Sequence, residues 1–476
     1  MKTKSLRMNA ALNVIKQCCA IVFPLITFPY VSRVIGTEGF GQYNFSFSIA
    51  DYFIIFAALG IHSYAIREGA KNRNDKALTD RFCCEVFTIN ITSMLISACG
   101  LTVLLLCAKS LNRYALLIVI ISTHMLMTTV GADWVNSIFE DYLYITVRYI
   151  VVQILALISI FIFVRSEKDV VNYAIIATLA SAGGNLLNIY YIRKYVKLKL
   201  VFDKSVLKHL KPILILFANV LAISIYVNAD ITMLGYYRND AEVGIYSLAS
   251  RIYNIVKRMI NAMIIVTLPR LAYYSKNNQH AYEGVTRKAM NGLIMLLLPC
   301  IVGLIAMSKP TVLLVGGGEY LTAWKPLCVL SGAMLFALLS SFFTNCILVV
   351  NGKEKAMLLS TVVSAAVNMI LNLFILPKYG MTGAAVTTLI AEAVNLGIQG
   401  YASRGLVAKK LLAWADIAKA LTGAALVAAV CILTTHCMGQ TIKALIIAIP
   451  ASVVVYFGFN LLVKNRTLLS FVKRSK

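Results

Sequence analysis

Apolar residues run along this chain in blocks of about 20, one after another, with only short polar connections between them. Fourteen such blocks can be placed, near residues 9–31, 41–64, 84–106, 115–133, 145–164, 171–192, 212–235, 243–267, 289–308, 327–349, 357–376, 382–401, 417–435 and 444–463. A helix of that length spans the ~30 Å of a bilayer's hydrocarbon core. The pattern predicts an all-α polytopic membrane protein with about 14 transmembrane helices. No connection is long enough to hold a soluble domain, which excludes a nucleotide-binding cassette or an extramembrane catalytic module.

Composition agrees. Of 476 residues, 59% are apolar or aromatic and 14% are charged, and the mean hydropathy is +0.79. A soluble chain of this length needs a larger charged surface. A cytosolic enzyme, a secreted disulfide scaffold and a disordered protein are excluded.

The net charge of +25 would suggest nucleic acid in a soluble protein. Here Lys and Arg collect in alternate connections, about 29 on the side of the N-terminus against about 9 on the other. The positive-inside rule then predicts both termini in the cytoplasm and an even number of spans. Nucleic acid is not needed as a partner. Lys2, Lys4 and Arg7 precede the first apolar block without a small-residue cleavage site, so that block is expected to be a retained span. The 11 cysteines form no C-x-x-C pair and the five His show no ligand spacing, so no cofactor or metal is expected.

The longest cytoplasmic connection, 193–211, has seven Lys/Arg against one Asp and reads as an interfacial anchor and as the hinge between two halves. Those halves look related. Gly41-Gln42-Tyr43 before span two matches Gly244-Ile245-Tyr246 before span eight. Ala174, Thr178, Leu179 and Asn185 fall on Ala384, Thr388, Leu389 and Asn395 at an offset of 210. The expected organisation is a first bundle over 1–193, a basic linker over 194–211, a second bundle over 212–401, and two further helices with a basic tail over 402–476.

Ionisable residues inside spans are costly and usually face a partner or a cavity. In span eight, Arg251, Asn254, Arg258 and Asn261 recur along one helical face, and Lys257 adds a cation on another. In span one, Asn9, Asn13 and Lys16 form a comparable stripe, with Arg33 near the outer end of that helix and Arg148 near the inner end of span five. Against these stand Asp51, Asp230 and Glu392. The spans' interior is therefore net basic, suited to an anion such as a pyrophosphate, although for Arg33 and Arg148, near helix ends, pairing with an acid or a helix C-terminus, or snorkelling, is the favoured explanation. Asp133-Trp134 and Glu140-Asp141 read as an interfacial anchor and loop charge, and Pro24 and Pro29 as a bend in span one.

The run from Pro24 to Lys71 resembles the N-terminal signature of polysaccharide flippases in the multidrug/oligosaccharidyl-lipid/polysaccharide (MOP) superfamily. It carries Pro29, Tyr30, Arg33, Gly36, Gly39, Gly41 and Tyr43 in the pattern P-Y-x-x-R-x-x-G-x-x-G-F-G-x-Y, followed by Gly60, Arg67 and Glu68. Later landmarks are ADWVNSIFEDYLYITVRYIVVQ, NADITMLGYYRNDAEVGIYSLASRIYN, NGKEK at 351–355 and LPKYGMTGAA at 376–385. The resemblance implies two pseudo-symmetric six-helix bundles around a central cavity, plus two C-terminal helices. It implies a non-enzymatic flippase that moves a polyprenyl-pyrophosphate-linked oligosaccharide from the inner to the outer leaflet of a bacterial cytoplasmic membrane by alternating access, for O-antigen or capsule synthesis. Membrane lipids, a polysaccharide polymerase and chain-length proteins are the implied partners. On that reading Lys16, Arg33, Arg148, Arg251, Asn254, Lys257 and Arg258 meet the pyrophosphate and glycan, and Asp51, Asp230 or Glu392 couples an ion. Lipid II flippases, spore-wall flippases and multidrug exporters of the same superfamily are the alternatives, followed by a membrane polysaccharide polymerase or ligase.

Overall fold

The computed structural model describes residues 6–406 and 411–472, and all regular structure in them is helical. Short polar residues set many of the boundaries. Asp75 accepts a hydrogen bond from Leu78 N at 3.1 Å to open one helix. Asn239 and Asn278 cap two others through the amides of Glu242 and Ala281, at 2.9 and 3.0 Å.

The chain forms two compact units, 1–235 and 236–476. The first contains α1 (Leu6–Ala58), α2 (Ile61–Asn72), α3 (Lys76–Cys107), α4 (Ala115–Gly131), α5 (Trp134–Ile138), α6 (Tyr142–Phe163), α7 (Val170–Thr178), α8 (Gly184–Tyr191) and nearly all of α9 (Leu210–Tyr237). A π-helical turn, Leu179–Gly183, joins α7 to α8. The second contains α10 (Asp240–Asn277), α11 (Gln279–Ala306), α12 (Ser308–Gly316), α13 (Trp324–Phe342), α14 (Glu354–Ala402), α15 (Trp414–Met438), α16 (Ile442–Leu462) and α17 (Arg466–Val472).

Eleven helical segments among the described residues are long and apolar enough to cross a membrane. Two of them are double: the 58 residues Val14–Lys71 and the 49 residues Glu354–Ala402 each hold two of the expected spans. Their breaks fall on glycines with left-handed backbone, Gly36 (φ 67°) and Gly380 (φ 53°), a conformation that costs any residue with a Cβ about 1–2 kcal/mol. The break in α1 therefore lies at Gly36 and not at Pro24 or Pro29, which stay inside helix. The 38-residue α10 is ~57 Å long but is rich in Lys and Arg, and it is not among the eleven.

In the first unit α1 packs on α3, α4 and α6; in the second, α10 packs on α11 and α13, α13 on α14, and α15 on both α11 and α16. Residues at the matched positions each pack within their own unit. Tyr43 packs on Tyr173 with ring centres 4.6 Å apart, and Tyr246 meets Thr388 at 3.5 Å. Thr178 and Thr388 each donate to the carbonyl four residues back, at 2.7 and 3.0 Å. Many Leu, Ile, Val and Phe side chains on the outer helix faces are exposed, as hydrocarbon solvent requires.

Trp134 is not an interfacial anchor. It is buried in a core with Tyr64, Phe82, Val135 and Ile138, at 3% exposure. The basic connection also differs from an amphipathic helix. Residues 196–202 form an irregular strap held along α3 by Cys84 Sγ to Lys197 O (3.6 Å), Lys199 N to Cys84 Sγ (3.4 Å) and Val201 N to Thr88 Oγ1 (2.9 Å). It closes on buried His209, which bridges Tyr64 (2.6 Å) and Glu85 (2.8 Å).

Candidate functional site

Three clusters of polar groups inside the helical units hold most of the expected site residues. The first lies where α4 ends. Gly131 sits so close to α8 that a Cβ there would meet Asn185 Cβ at 2.5 Å. Asn188 clamps the same turn through Gly131 O (2.5 Å) and accepts from Asn136 (2.6 Å). Ala132 then takes φ 42°, rare for a residue with a side chain. That reversal presents Asp133 to Arg148 of α6 at 2.5 Å. Arg148 Nη2 also donates to Asn185 at 3.2 Å, the guanidinium lies 5.3 Å from the Tyr144 ring centre, and its stem passes Gly184, where a Cβ would be 3.4 Å away. Its side chain is 8% exposed, and Nη1 is buried without a hydrogen-bond partner among the described residues. Lys16 stands over the Tyr149 ring at 5.8 Å, and the Asp133 charge acts on both Lys16 and His62. Of the expected cations, Lys16 and Arg148 thus come together. Arg33 lies apart from them, exposed near the Gly36 break. The side chains of Asn9 and Asn13 lie outside those described.

The second cluster joins α1 to α9. Asp51 accepts from Asn228 at 2.7 Å and Ser224 at 3.1 Å. One helical turn away, Thr232 bonds Ser48 at 3.0 Å and Tyr52 at 3.3 Å. Tyr52 feels both Asp51 and buried Asp230. Two of the three expected acids therefore share one polar seam.

The third cluster is in the second unit. Lys257 reaches Glu392 of α14 at 3.7 Å and the buried Tyr253 hydroxyl at 3.2 Å. It is the cation placed off the span-eight stripe that finds the acid. On the stripe, Asn254 donates to Ser250 at 3.3 Å and Asn261 accepts from Ser341 at 2.6 Å, while Arg251 is half-buried and Arg258 exposed. The same unit holds an apolar cavity of 460 Å³ between α10, α11, α15 and α16, lined by Met259, Leu304, Val427 and Ile449 among others.

Sequence reasoning missed the partners. Asp133 was assigned to the membrane interface, yet it closes the Arg148 pair. Asp141, taken as a loop charge, is 2% exposed and accepts from Tyr191 (2.6 Å), Tyr195 (2.7 Å) and Lys194 (3.1 Å). Burial first and the bond to Asp141 second push the Tyr195 phenol up to about 12, so it stays a donor at working pH. The density of polar residues in the run Asp133–Asp141 was the available signal.

This all-helical, multi-pass architecture is similar to solved structures of transporters. The solved structure of "Lipid II flippase MurJ, inward closed conformation" matches 94% of this chain and 98% of its own with a TM-score of 0.76 at 15% identity. An inward-facing multidrug resistance MATE family transporter of the MOP superfamily matches 80% of this chain and 93% of its own at 0.62, also with 15% identity. The chain belongs to the family described as Polysaccharide biosynthesis protein, whose model matches residues 6–275. It is similar to a "Putative O-antigen transporter" of Escherichia coli (strain K12), 25% identical over 56% of this chain and 65% of that one. It is also similar to a "Capsular polysaccharide biosynthesis protein CapF" of Staphylococcus aureus, 23% identical over 81% of this chain and 94% of that one. The match thus spans just under two thirds of the E. coli relative's length.

Proposed function

We propose that this chain is a flippase that carries polyprenyl-pyrophosphate-linked oligosaccharide units from the cytoplasmic to the outer leaflet for surface polysaccharide synthesis. The observation that carries the reading is membership of the polysaccharide biosynthesis family, joined to cations held at membrane depth in both units. A glycan and a pyrophosphate cannot cross hydrocarbon unaided, because their polar groups would lose water without replacement.

On this reading the two broken helices each cross twice and α10 crosses once, which brings the eleven apolar segments to fourteen crossings, with both termini in the cytoplasm of a bacterium. The two units, related as parallel repeats, rock in alternating access. Arg251, Asn254, Lys257 and Arg258 of α10, with Lys16, Arg148 and Arg33, meet the pyrophosphate and the first sugars. Asp51 and Asp230, or Glu392, take up the coupling ion. The apolar cavity suits a prenyl or acyl chain. The chain performs no covalent chemistry itself and hands its cargo to a polymerase and its chain-length partners.

The test is complementation of a strain that lacks its own copy. Arg258→Ala is exposed and removes one charge, and it is expected to abolish or sharply reduce surface polysaccharide at unchanged protein level. Full export by that variant would remove the α10 site assignment.

A further inference from the structure

Resting on the flippase reading, we propose that Asp133 is an internal competitor for the cargo's pyrophosphate: it pairs with Arg148 until the phosphate displaces it, and so sets how tightly the site holds its anion. The inference starts from the asymmetry of the pair. Arg148 is fixed, with 8% of its side chain exposed, a stem fitted against Gly184 and a bond to Asn185, whereas Asp133 is 25% exposed. The acid can swing into water and the guanidinium cannot follow.

The donors are also incompletely used. A guanidinium presents a planar fork that matches the oxygens of a carboxylate or phosphate bidentately. Here Nη2 serves both Asp133 and Asn185, while Nη1 is buried and bonds to none of the described residues. A pair built only for stability gains by satisfying both nitrogens, since a buried unpaired donor is costly. A phosphate with three oxygens satisfies what one carboxylate in this position does not.

Charge points the same way. Lys16, Arg148 and Asp133 together carry one net positive charge, and Asp133 acts electrostatically on Lys16 as well as on Arg148. Withdrawal of the acid doubles the field offered to an anion. A carrier must also release its cargo, and a buried and a half-buried cation with no internal anion would favour the bound form throughout the cycle. The elbow at Ala132, with its left-handed backbone, puts the acid in place.

The experiment measures binding of inorganic pyrophosphate and of farnesyl pyrophosphate to the purified full chain in nanodiscs, for the parent, D133N, R148Q and D133N/R148Q. Removal of the competitor is expected to tighten binding about tenfold in D133N, within the range of coupling between close charges. D133N/R148Q should bind no better than R148Q. Tightening for the farnesyl form identifies a lipid headgroup as ligand; tightening for the inorganic form alone identifies a soluble anion, with Asp133 as competitor in either case. Equal or weaker binding by D133N, or tightening that persists without Arg148, makes the pair purely structural and overturns the proposal while leaving the flippase reading intact. No binding of either compound by the parent would overturn the pyrophosphate reading itself, and this proposal with it. Should D133N not fold, Asp133→Ser makes the same comparison.

Discussion

Replacing Lys257 by Met tests whether the buried acid of the second unit depends on its cation. Lys257 Nζ lies 3.7 Å from Glu392, whose side chain is 6% exposed. At that distance two unit charges attract by about 4.5 kcal/mol at an effective dielectric of ~20. Lys257 is 29% exposed, so solvent screening lowers this to about 3 kcal/mol. K257M leaves the carboxylate uncompensated and should destabilise by that order, because a buried charge without its partner keeps its desolvation cost. K257M/E392L removes both charges and should recover most of the loss, since an apolar pair of similar volume is often as stable as the ion pair. The assay is thermal unfolding in detergent with a thiol-reactive dye, which reports the buried cysteines Cys83, Cys84, Cys346 and Cys431 as they become exposed. A fall of several degrees in K257M and its recovery in the double variant are expected. A K257M melting point within about a degree of the parent, or a double variant no better than the single, would refute the reasoning.

Asp141→Ala strips the acceptor from Tyr191, Tyr195 and Lys194 and should cost about 1–3 kcal/mol, because the tyrosine donors lose their partner while half-exposed Lys194 keeps its water, read as lowered melting. Gly36→Val forces a β-branched residue into the left-handed break of α1 and should cost at least ~1–2 kcal/mol, seen in expression and melting. Gly235→Leu drives a side chain into the Phe45 ring and should cost about 1–3 kcal/mol by overpacking; the same melt checks it.

The helices were legible because each apolar block is as long as a bilayer is thick. The two double helices and their breaks were less so. Dihedral signs at Gly36 and Gly380 are not written in hydropathy, although both glycines sit in the motifs that carry the family resemblance. Charged residues could be found at depth but not paired. Lys257 finds Glu392, 135 positions away, and which face of α10 meets α14 depends on packing that a single helix's periodicity does not encode. Asp133 was invisible as a partner for a local reason. Its approach to Arg148 needs a left-handed alanine, a conformation that sequence propensity argues against. The strap over 196–202 escaped notice because a run of lysines reads as solvated, whereas its backbone, not its charge, docks on Cys84 and Thr88.

The central claim is that the chain moves a pyrophosphate-linked glycan across a bilayer. Its most direct test is a proteoliposome assay with the purified chain and a fluorescent polyprenyl-pyrophosphate oligosaccharide, in which an external quencher reports the leaflet of the label. The account predicts protein-dependent exchange between leaflets that falls when Arg251 and Arg258 are neutralised. Growth of the glycan chain in place of exchange, with or without an ion gradient, would contradict it and make the protein a polymerase.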